Sequence, residues 1–295
     1  MSYKFILDTN VLDNESVSKL KDADLLGACN TGKFAFCFTP VLLKERSDFL
    51  LQGTMPETAK GPIQFLLSLR WQKFFNDLNG PGGILASELE GKLPSEYLFI
   101  NFSQIRENLE LVLQGGELSD RAKKEVQRDK YRWSGQKQQN CAAYKEMRKQ
   151  IDNHLRKNPS LTRKGSRFAD FRDSNFEKTA IDKIQKSINS SIPRDKLIEF
   201  WKKNQTRCPY FNKFVEGELF KPWYFMSSQQ DPKIDPNAYE DIEHLLFLNS
   251  VDGIVSNELG FMKTACQELF PDKDFMTVDQ FISRIPSHFT SAVKT

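Results

Sequence analysis

Four acidic residues stand where carboxylates can gather around a metal ion, each beside a predicted strand end or helix start: Asp8, Glu45, Asp241 and Glu258. Two carboxylates 4 Å apart repel each other by about 4 kcal/mol at an effective dielectric of 20. A cluster of them is therefore stable only when some take up protons or a divalent cation enters. Because all four ligands are oxygen donors, the pattern favours Mg²⁺ or Mn²⁺ over zinc.

Each of these acids also has a purely structural interpretation. Asp8 and Asn10 can cap the turn that follows them, and Asp241 can cap a helix or interact with its dipole. Glu45 can be an ordinary exposed helix residue, and Glu258 a surface residue. The joint pattern, with the acids in order on the right elements, favours a shared site.

Two more polar residues stand near these acids. His244 follows Asp241 by about one helical turn, hence on nearly the same face. It is interpreted first as a structural histidine and second as a contact for a phosphate or a product oxyanion. Ser256 ends a short strand, where its hydroxyl can support the acids. Asp252 precedes that strand, at the end remote from the site, and is left out.

The first fifty residues alternate between strand and helix patterns. Strands are predicted at 4–8 and 34–38, and a helix over 15–29 between them. After the second strand, Thr39 is a suitable N-cap with Pro40 at the first helical position. Asp8 therefore lies at the carboxyl end of the first strand.

The last sixty residues repeat the alternation. A helix begins near Tyr239, strands are predicted at 253–256 and 275–278, and further helices follow each strand. Strands that alternate with helices favour a parallel sheet covered on both faces. In such sheets ligands bind outside the carboxyl ends of the strands, where the strand order reverses. The predicted fold class is α/β, a three-layer α/β/α arrangement with a central parallel sheet and a mostly α-helical insertion.

The middle of the chain is polar and helix-rich, and its basic residues are concentrated in one part. Residues 121–172 hold 16 Lys or Arg and 5 Asp or Glu, a net charge of +11; the whole chain has 42 and 39, so the remainder carries −8. A solvated helix surface is one interpretation, and a nucleic-acid partner is the other. The candidate phosphate contacts are Lys123, Lys124, Arg128, Lys130, Arg132, Arg148, Lys149, Arg156 and Lys157. The stretch 157–175 resembles a loop in composition.

The cysteine and histidine content and the hydropathy pattern indicate which kinds of metal site and cell location to expect. The five cysteines are scattered without a CxxC pair, and there are three histidines, so a Cys- or His-based zinc site is disfavoured. The sequence pattern predicts neither a signal peptide nor a membrane-spanning helix. We expect reduced thiols, a cytoplasmic location and no membrane partner.

Four strings resemble the PIN-domain nucleases. The string "ILDTNVL" (6–12) resembles the opening of that family, "TPVLLKE" (39–45) its second acidic segment, and "DIEHLLFLNSVDGIVSNELGF" (241–261) the segment with its third and fourth acids. The string "FMTVDQFISRI" (275–285) is similar to the last strand and helix. The family usually has Asp where this chain has Glu258. The resemblance implies a PIN-like domain formed by 1–52 and 235–295, interrupted by a basic, helix-rich insertion at 53–234.

The resemblance also implies an activity. The expected enzyme is a Mg²⁺- or Mn²⁺-dependent endoribonuclease that hydrolyses phosphodiester bonds of single-stranded or structured RNA. Asp8 and Asp241 would be the main metal ligands. Glu45 and Glu258 would bind the metal directly or through water, and Asn10 would position Asp8 or the scissile phosphate.

Several alternatives stay open at this point. A phosphatase of the haloacid dehalogenase type also opens with a strand and an Asp, but it requires a second Asp where this chain has Asn10, so it is disfavoured. A structure-specific DNA nuclease and a catalytically degenerate nucleic-acid-binding module remain as rivals. The sequence leaves a homodimer open and identifies no protein partner.

Overall fold

The computed structural model describes residues 2–44, 55–69, 71–74, 80–92, 102–157, 167–187, 190–227 and 238–285. One five-stranded sheet lies at its centre, with the strand order β3-β2-β1-β4-β5 and parallel pairing throughout. The strands are β1 (Tyr3–Leu7), β2 (Phe34–Phe38), β3 (Trp71–Phe74), β4 (Gly253–Val255) and β5 (Asp274–Met276). The chain moves outward from β1 to β3, then returns on the other side of β1, so the strand order reverses between β1 and β4.

Helices cover both faces of the sheet, because successive side chains of a strand point to opposite faces. Phe5 and Leu7 pack in one hydrophobic core and Ile6 packs in the other. Burial on both sides accounts for the nearly continuous apolar strand Phe34–Phe38. The predicted parallel sheet, covered on both faces, is confirmed.

The first face of the sheet, which carries Phe5, is covered mainly by helices from the N-terminal part of the chain and by the last helix. They are α1 (Asn14–Asp22), α2 (Leu25–Asn30), α3 (Val41–Lys44), α4 (Glu57–Ser68), α6 (Phe102–Leu113) and α13 (Val278–Ile282), with α5 (Gly80–Leu89) between α4 and α6 in the chain. The second face is covered by α5 and by α8 (Phe168–Gln185), α9 (Arg194–Lys203), α10 (Pro209–Ser227), α11 (Ala238–Leu246) and α12 (Phe261–Leu269).

The remaining helix, α7 (Asp120–Lys157), is 38 residues long. At 1.5 Å per residue it extends about 57 Å. Two residues near its start, Ala122 and Val126, pack against the core of the first face. Within the described ranges, no helix combines the length and the apolar character that crossing a bilayer requires.

The helix predicted over 15–29 is in fact two helices. The left-handed backbone of Asp24, with φ of 53°, separates α1 from α2. Its carboxylate Oδ1 accepts a hydrogen bond from the Gly27 amide at 3.0 Å and so caps α2. A short acidic side chain that bonds locally makes this conformation accessible to a residue other than glycine.

The residues assigned to the insertion also contribute to the sheet. β3 pairs with β2, and α4 packs on the same face as α1. The stretch 157–175, expected to be a loop, is helical from Phe168 onward, so that expectation is wrong there; residues 158–166 lie outside the described part. Phe168 packs against Phe220 and Trp223, with ring centroids 5.4 Å from each, and this packing supports the start of α8.

A buried carboxylate joins the insertion helices to each other. Glu88 on α5 accepts hydrogen bonds from the amides of Tyr210 and Phe211, at 2.8 and 3.2 Å, at the N-terminus of α10. Burial raises the pKa of Glu88 to about 7, and the two amide hydrogen bonds partly oppose that rise. The first amides of a helix have no acceptor within the helix, so they need one from elsewhere when they are buried.

Candidate functional site

Asp8 lies at the carboxyl end of the central strand, directly after β1. Its amide donates to the Val255 carbonyl at 2.9 Å, which extends the β1–β4 pairing to the residue itself. This position is the point where the strand order reverses. Open parallel sheets bind ligands there, because the chain departs to opposite sides and leaves a crevice.

The carboxylate of Asp8 is held by a set of short hydrogen bonds. Oδ1 accepts from the Thr9 amide at 2.7 Å, so Asp8 also caps the 3₁₀ turn Thr9–Val11. Oδ2 accepts from Asn10 Nδ2 at 2.6 Å and from Ser256 Oγ at 2.7 Å. Oδ1 also accepts from the Thr9 hydroxyl at the longer distance of 3.4 Å, and this weaker contact is the one that a further ligand would replace most readily.

A second set of contacts fixes the residues that hold Asp8. Asn10 Oδ1 accepts from the Asn257 amide at 2.9 Å, and Ser256 Oγ accepts from the Glu258 amide at 3.1 Å. The Asn257 side chain in turn donates to Ser16 Oγ at 3.2 Å and accepts from the Val278 amide at 3.2 Å. Asn257 did not figure among the sequence candidates, although an amide directly after a strand-terminal serine is a usable signal.

Helix α11 brings His244 to the same place. Its imidazole is fully buried, with Nε2 3.0 Å from Thr39 Oγ1 and Nδ1 3.8 Å from Asp8 Oδ1. Burial lowers the pKa of His244 to about 3, so the ring is neutral. The alternative that His244 contacts a phosphate is wrong, because the ring does not reach solvent. The Thr39 hydroxyl, predicted to cap a helix, faces the imidazole, and α3 begins at Val41.

The close approach of α11 depends on a glycine of the neighbouring helix. A Cβ at position 217 of α10 would overlap Cγ2 of Ile242 on α11. Without that side chain the two helix backbones come close, and Ile242 is buried between them. Gly217 therefore helps to place the helix that carries Asp241 and His244.

The negative charge of Asp8 is buried without a cationic side chain beside it in the described part of the chain. Its exposed fraction is 5%, and burial raises its pKa, an effect that the Ser256 and Thr9 hydrogen bonds partly oppose. His244 is the basic side chain within ion-pair distance, and it is neutral. A buried carboxylate in these surroundings favours either a proton or a bound cation.

The other three predicted ligands, Asp241, Glu258 and Glu45, come from parts of the chain other than β1. Asp241 lies on α11 one turn before His244 and is 7% exposed. Glu258 is half-buried, and its Oε1 accepts from the Met262 amide at 3.0 Å, in the first turn of α12. The pKa of Tyr224 on α10 is raised by burial and then by the charge of Glu258. Glu45, the residue after α3, lies outside the described residues.

The chemistry of these donors fits a hard divalent cation, since all are carboxylates, whose oxygens are the ligands that such a cation prefers. Among the described residues, however, no group of three or more His, Cys, Asp or Glu side chains is arranged to hold a metal ion. Asp8, Asp241 and Glu258 are all described, so these three carboxylates do not form such a group by themselves.

The basic candidates all lie on one helix, α7. Lys124, Lys149, Arg156 and Lys157 are exposed, and Arg148 is half-exposed. Lys123 forms an ion pair with Glu117 at 2.6 Å. The side chains of Arg128, Lys130 and Arg132 lie outside the described part.

Comparison of the chain with protein-family models, with curated proteins and with solved structures finds no match.

Proposed function

We propose that the protein is a metal-dependent nuclease with a PIN-like α/β/α domain, acting as an endoribonuclease on single-stranded or structured RNA. The observation that carries the proposal is the buried Asp8 carboxylate at the point where the strand order reverses, held by Asn10 and Ser256. Such a carboxylate is costly to bury for stability alone. Its position is where a parallel sheet binds its ligand.

In this proposal Asp8 and Asp241 hold Mg²⁺ or Mn²⁺, and Glu45 and Glu258 complete the set directly or through water. When bound, the cation supplies positive charge that stabilises the charge developing on the phosphate. Asn10 keeps Oδ2 of Asp8 turned toward Ser256, so Oδ1, whose contact with the Thr9 hydroxyl is long, would be the oxygen that binds the cation.

In this proposal helix α7 supplies the affinity for RNA, because the carboxylates of the site repel the negatively charged phosphates. Its exposed cations are suited to contact phosphates without reading sequence. The aromatic residues Tyr131, Trp133 and Tyr144 on the same helix are candidates for stacking on unpaired bases. A single-stranded or locally opened RNA is therefore the favoured substrate.

The second candidate function is a nucleic-acid-binding module that has lost catalysis. The carboxylate contact between Glu258 and the Met262 amide favours it, because that contact competes with metal binding. A structure-specific DNA nuclease is the third candidate. The role of Asn10 as a hydrogen-bond donor to Asp8 gives no support to a dehalogenase-type general acid at that position.

A direct assay separates these candidates. The purified chain is incubated with labelled single-stranded RNA, hairpin RNA and DNA of the same sequence, with Mg²⁺, with Mn²⁺ or with EDTA. We expect internal cleavage of RNA that requires the added metal and stops with EDTA. Binding without cleavage under all conditions would support the degenerate module, and preferential cleavage of branched DNA would support the DNA nuclease.

Replacing four exposed cations of α7 by glutamine is expected to weaken RNA binding and its salt dependence. The variant carries K124Q, K149Q, R156Q and K157Q. Each phosphate contact contributes about 0.7 to the slope of log K against log salt for a single strand. Loss of four contacts should therefore lower the slope by about 3, as measured by fluorescence anisotropy between about 50 and 200 mM salt.

A matched variant replaces four exposed lysines from other parts of the chain with glutamine: Lys33, Lys92, Lys178 and Lys196. It changes the net charge by the same amount and should leave the slope nearly unaltered. An equal reduction in both variants would mean that net charge, not α7, governs binding.

A further inference from the structure

We infer that Asn257 is a positioning residue. Its side chain ties the loop after β4 to the starts of α1 and α13, and its backbone amide thereby fixes the orientation of Asn10 against the Asp8 carboxylate. The effect on cleavage rests on the proposed nuclease function. The effect on Asn10 does not depend on that function, and a separate measurement tests it.

The side chain of Asn257 joins two helices that are distant from it in the chain. Nδ2 donates to Oγ of Ser16, the third residue of α1, and Oδ1 accepts from the amide of Val278, the first residue of α13, both at 3.2 Å. Both distances are within the range of N–H···O hydrogen bonds. A carboxamide suits this position because it offers a donor and an acceptor at the same time.

The two helices that hold Asn257 are themselves fixed to the sheet. Val17, next to the first anchor, and Val278, the second anchor, are buried in the core of the first face. Helices α1 and α13 also pack against each other, with Lys19 and Asp279 paired at 3.2 Å. The side chain of Asn257 is therefore bound at two points whose positions the hydrophobic core determines.

The backbone of Asn257 transmits this position to Asn10. Its amide donates to Asn10 Oδ1 at 2.9 Å, and Nδ2 of the same Asn10 side chain donates to Asp8 Oδ2 at 2.6 Å. An Asn10 side chain turned by 180° would place its carbonyl oxygen against the carboxylate, and the two oxygens would repel each other. Because the Asn257 amide requires an acceptor at Oδ1, it excludes that orientation.

The exposure of Asn257 separates positioning from global stability. Water can replace the partners of an exposed side chain, so its two hydrogen bonds contribute little net stability. We expect Asn257→Ala to lower the midpoint of thermal unfolding by no more than about 4 °C. By contrast, groups that orient a ligating residue typically change metal affinity or activity by about 10- to 100-fold when they are removed.

A double-mutant cycle tests whether Asn257 acts through Asn10. We expect Asn257→Ala to lower kcat for RNA cleavage with Mg²⁺ about tenfold with KM nearly unchanged, and Asn10→Ala to lower kcat about 100-fold. The double variant should lose no more than Asn10→Ala alone, because the contact that Asn257 controls is already absent. A double variant that shows the product of the two single losses would overturn the inference.

An asparagine between two other helices is the matched control. Asn212 on α10 also uses both ends of its side chain: Oδ1 accepts from Trp201 Nε1 at 2.9 Å, and Nδ2 donates to the Gln205 carbonyl at 2.6 Å. Asn212→Ala therefore removes an equivalent pair of hydrogen bonds and should retain full kcat at a temperature where the chain is folded. An equal loss of kcat in Asn212→Ala and Asn257→Ala would make Asn257 a purely structural residue and refute its positioning role.

NMR of the chain labelled with ¹⁵N at asparagine reads the orientation of Asn10 without any cleavage. The Asn10→Ala spectrum identifies the side-chain amide signals of Asn10. We expect Asn257→Ala to shift these signals and to speed their hydrogen exchange at least about tenfold, and Asn212→Ala to leave them unchanged. Unchanged Asn10 signals in Asn257→Ala would overturn the inference. If the natural chain cleaved no nucleic acid, the proposed function would fail, and this measurement would still decide whether Asn257 positions Asn10.

Discussion

Replacing Asp8 with asparagine is expected to lower the rate of RNA cleavage at least about 1000-fold while the fold persists. The substitution removes the negative charge that a divalent cation requires, and a 1000-fold loss corresponds to about 4 kcal/mol of transition-state stabilisation. Asparagine keeps nearly the same shape. Burial no longer penalises a charge at this position, but the asparagine NH₂ faces a donor that a carboxylate oxygen accepted from, Thr9 or Asn10. The free energy of unfolding should therefore fall by no more than about 3 kcal/mol, the upper end of the cost of one unsatisfied buried group.

The same substitution at the opposite end of the sheet is the matched control. Asp252 precedes β4, is exposed, and accepts a hydrogen bond from the Lys4 amide at 2.7 Å. Asp252→Asn should retain full activity, since it keeps an acceptor and lies far from the crevice. Full cleavage by Asp8→Asn, or an equal loss in both variants, would remove the assignment of Asp8.

Replacing Glu218 with glutamine is expected to lower the free energy of unfolding by about 3 kcal/mol. Glu218 on α10 pairs with both Lys183 on α8 and Lys221 on its own helix. Lys221 is only 3% exposed, so loss of the carboxylate leaves a buried ammonium with less compensation. Breaking one member of a buried ion pair costs about 3–5 kcal/mol. The measurement is urea unfolding at pH 7.

The contribution of Glu218 should depend on pH in one direction. Burial alone would raise its pKa, but the two lysines, Lys221 first, outweigh burial and lower the pKa to about 2. The folded state therefore releases this proton more readily than the unfolded state, whose pKa is near 4.5. The stabilisation is complete above the unfolded pKa and is lost as the pH falls toward 2. Glu218→Gln should consequently lose less stability than the natural chain between pH 5 and pH 2.5.

An exposed pair on a neighbouring helix provides the comparison. Glu199 pairs with Lys203 at 2.6 Å on α9, and both side chains are largely exposed. Glu199→Gln should change the unfolding transition little, because solvent screens such pairs. An equal effect of the two substitutions would mean that Glu218 is not part of the core.

The ion pairs of Glu218 with Lys183 and Lys221 also affect the candidate site. Helix α10 packs against α11, which carries Asp241 and His244. A destabilised α10 would therefore affect the placement of α11 as well as global stability. The helices assigned to the insertion share one hydrophobic core with the sheet, since residues such as Ile6 and Trp201 belong to the same cluster.

Local sequence patterns were sufficient for much of the sheet. The run Phe34–Phe38 is the strand in the structure, and Asp8 follows the central strand as its position after Leu7 indicated. β3 was missed, because Trp71–Phe74 is only four residues long and follows an apolar helical segment. A strand that short is recognised by its neighbour, here β2, and not by its own periodicity.

Local sequence patterns could not predict contacts between residues that are far apart in the chain. His244 was correctly placed one turn after Asp241, yet its partners Thr39 and Asp8 lie more than 200 positions away in the chain. The side chain that a buried polar residue meets depends on how helices pack against the sheet. That packing is governed by details such as the missing Cβ of Gly217.

The sequence by itself determined the alternation of strands and helices, the acid at the end of β1 and the charge of α7, because each follows from neighbouring residues and from composition. Only the tertiary structure decided that β1 is central, that the strand order reverses beside Asp8, and that Asn10, Ser256 and His244 converge on its carboxylate. The physical reason is that these contacts are non-local: they form when the parallel strands align and helices bury both faces of the sheet.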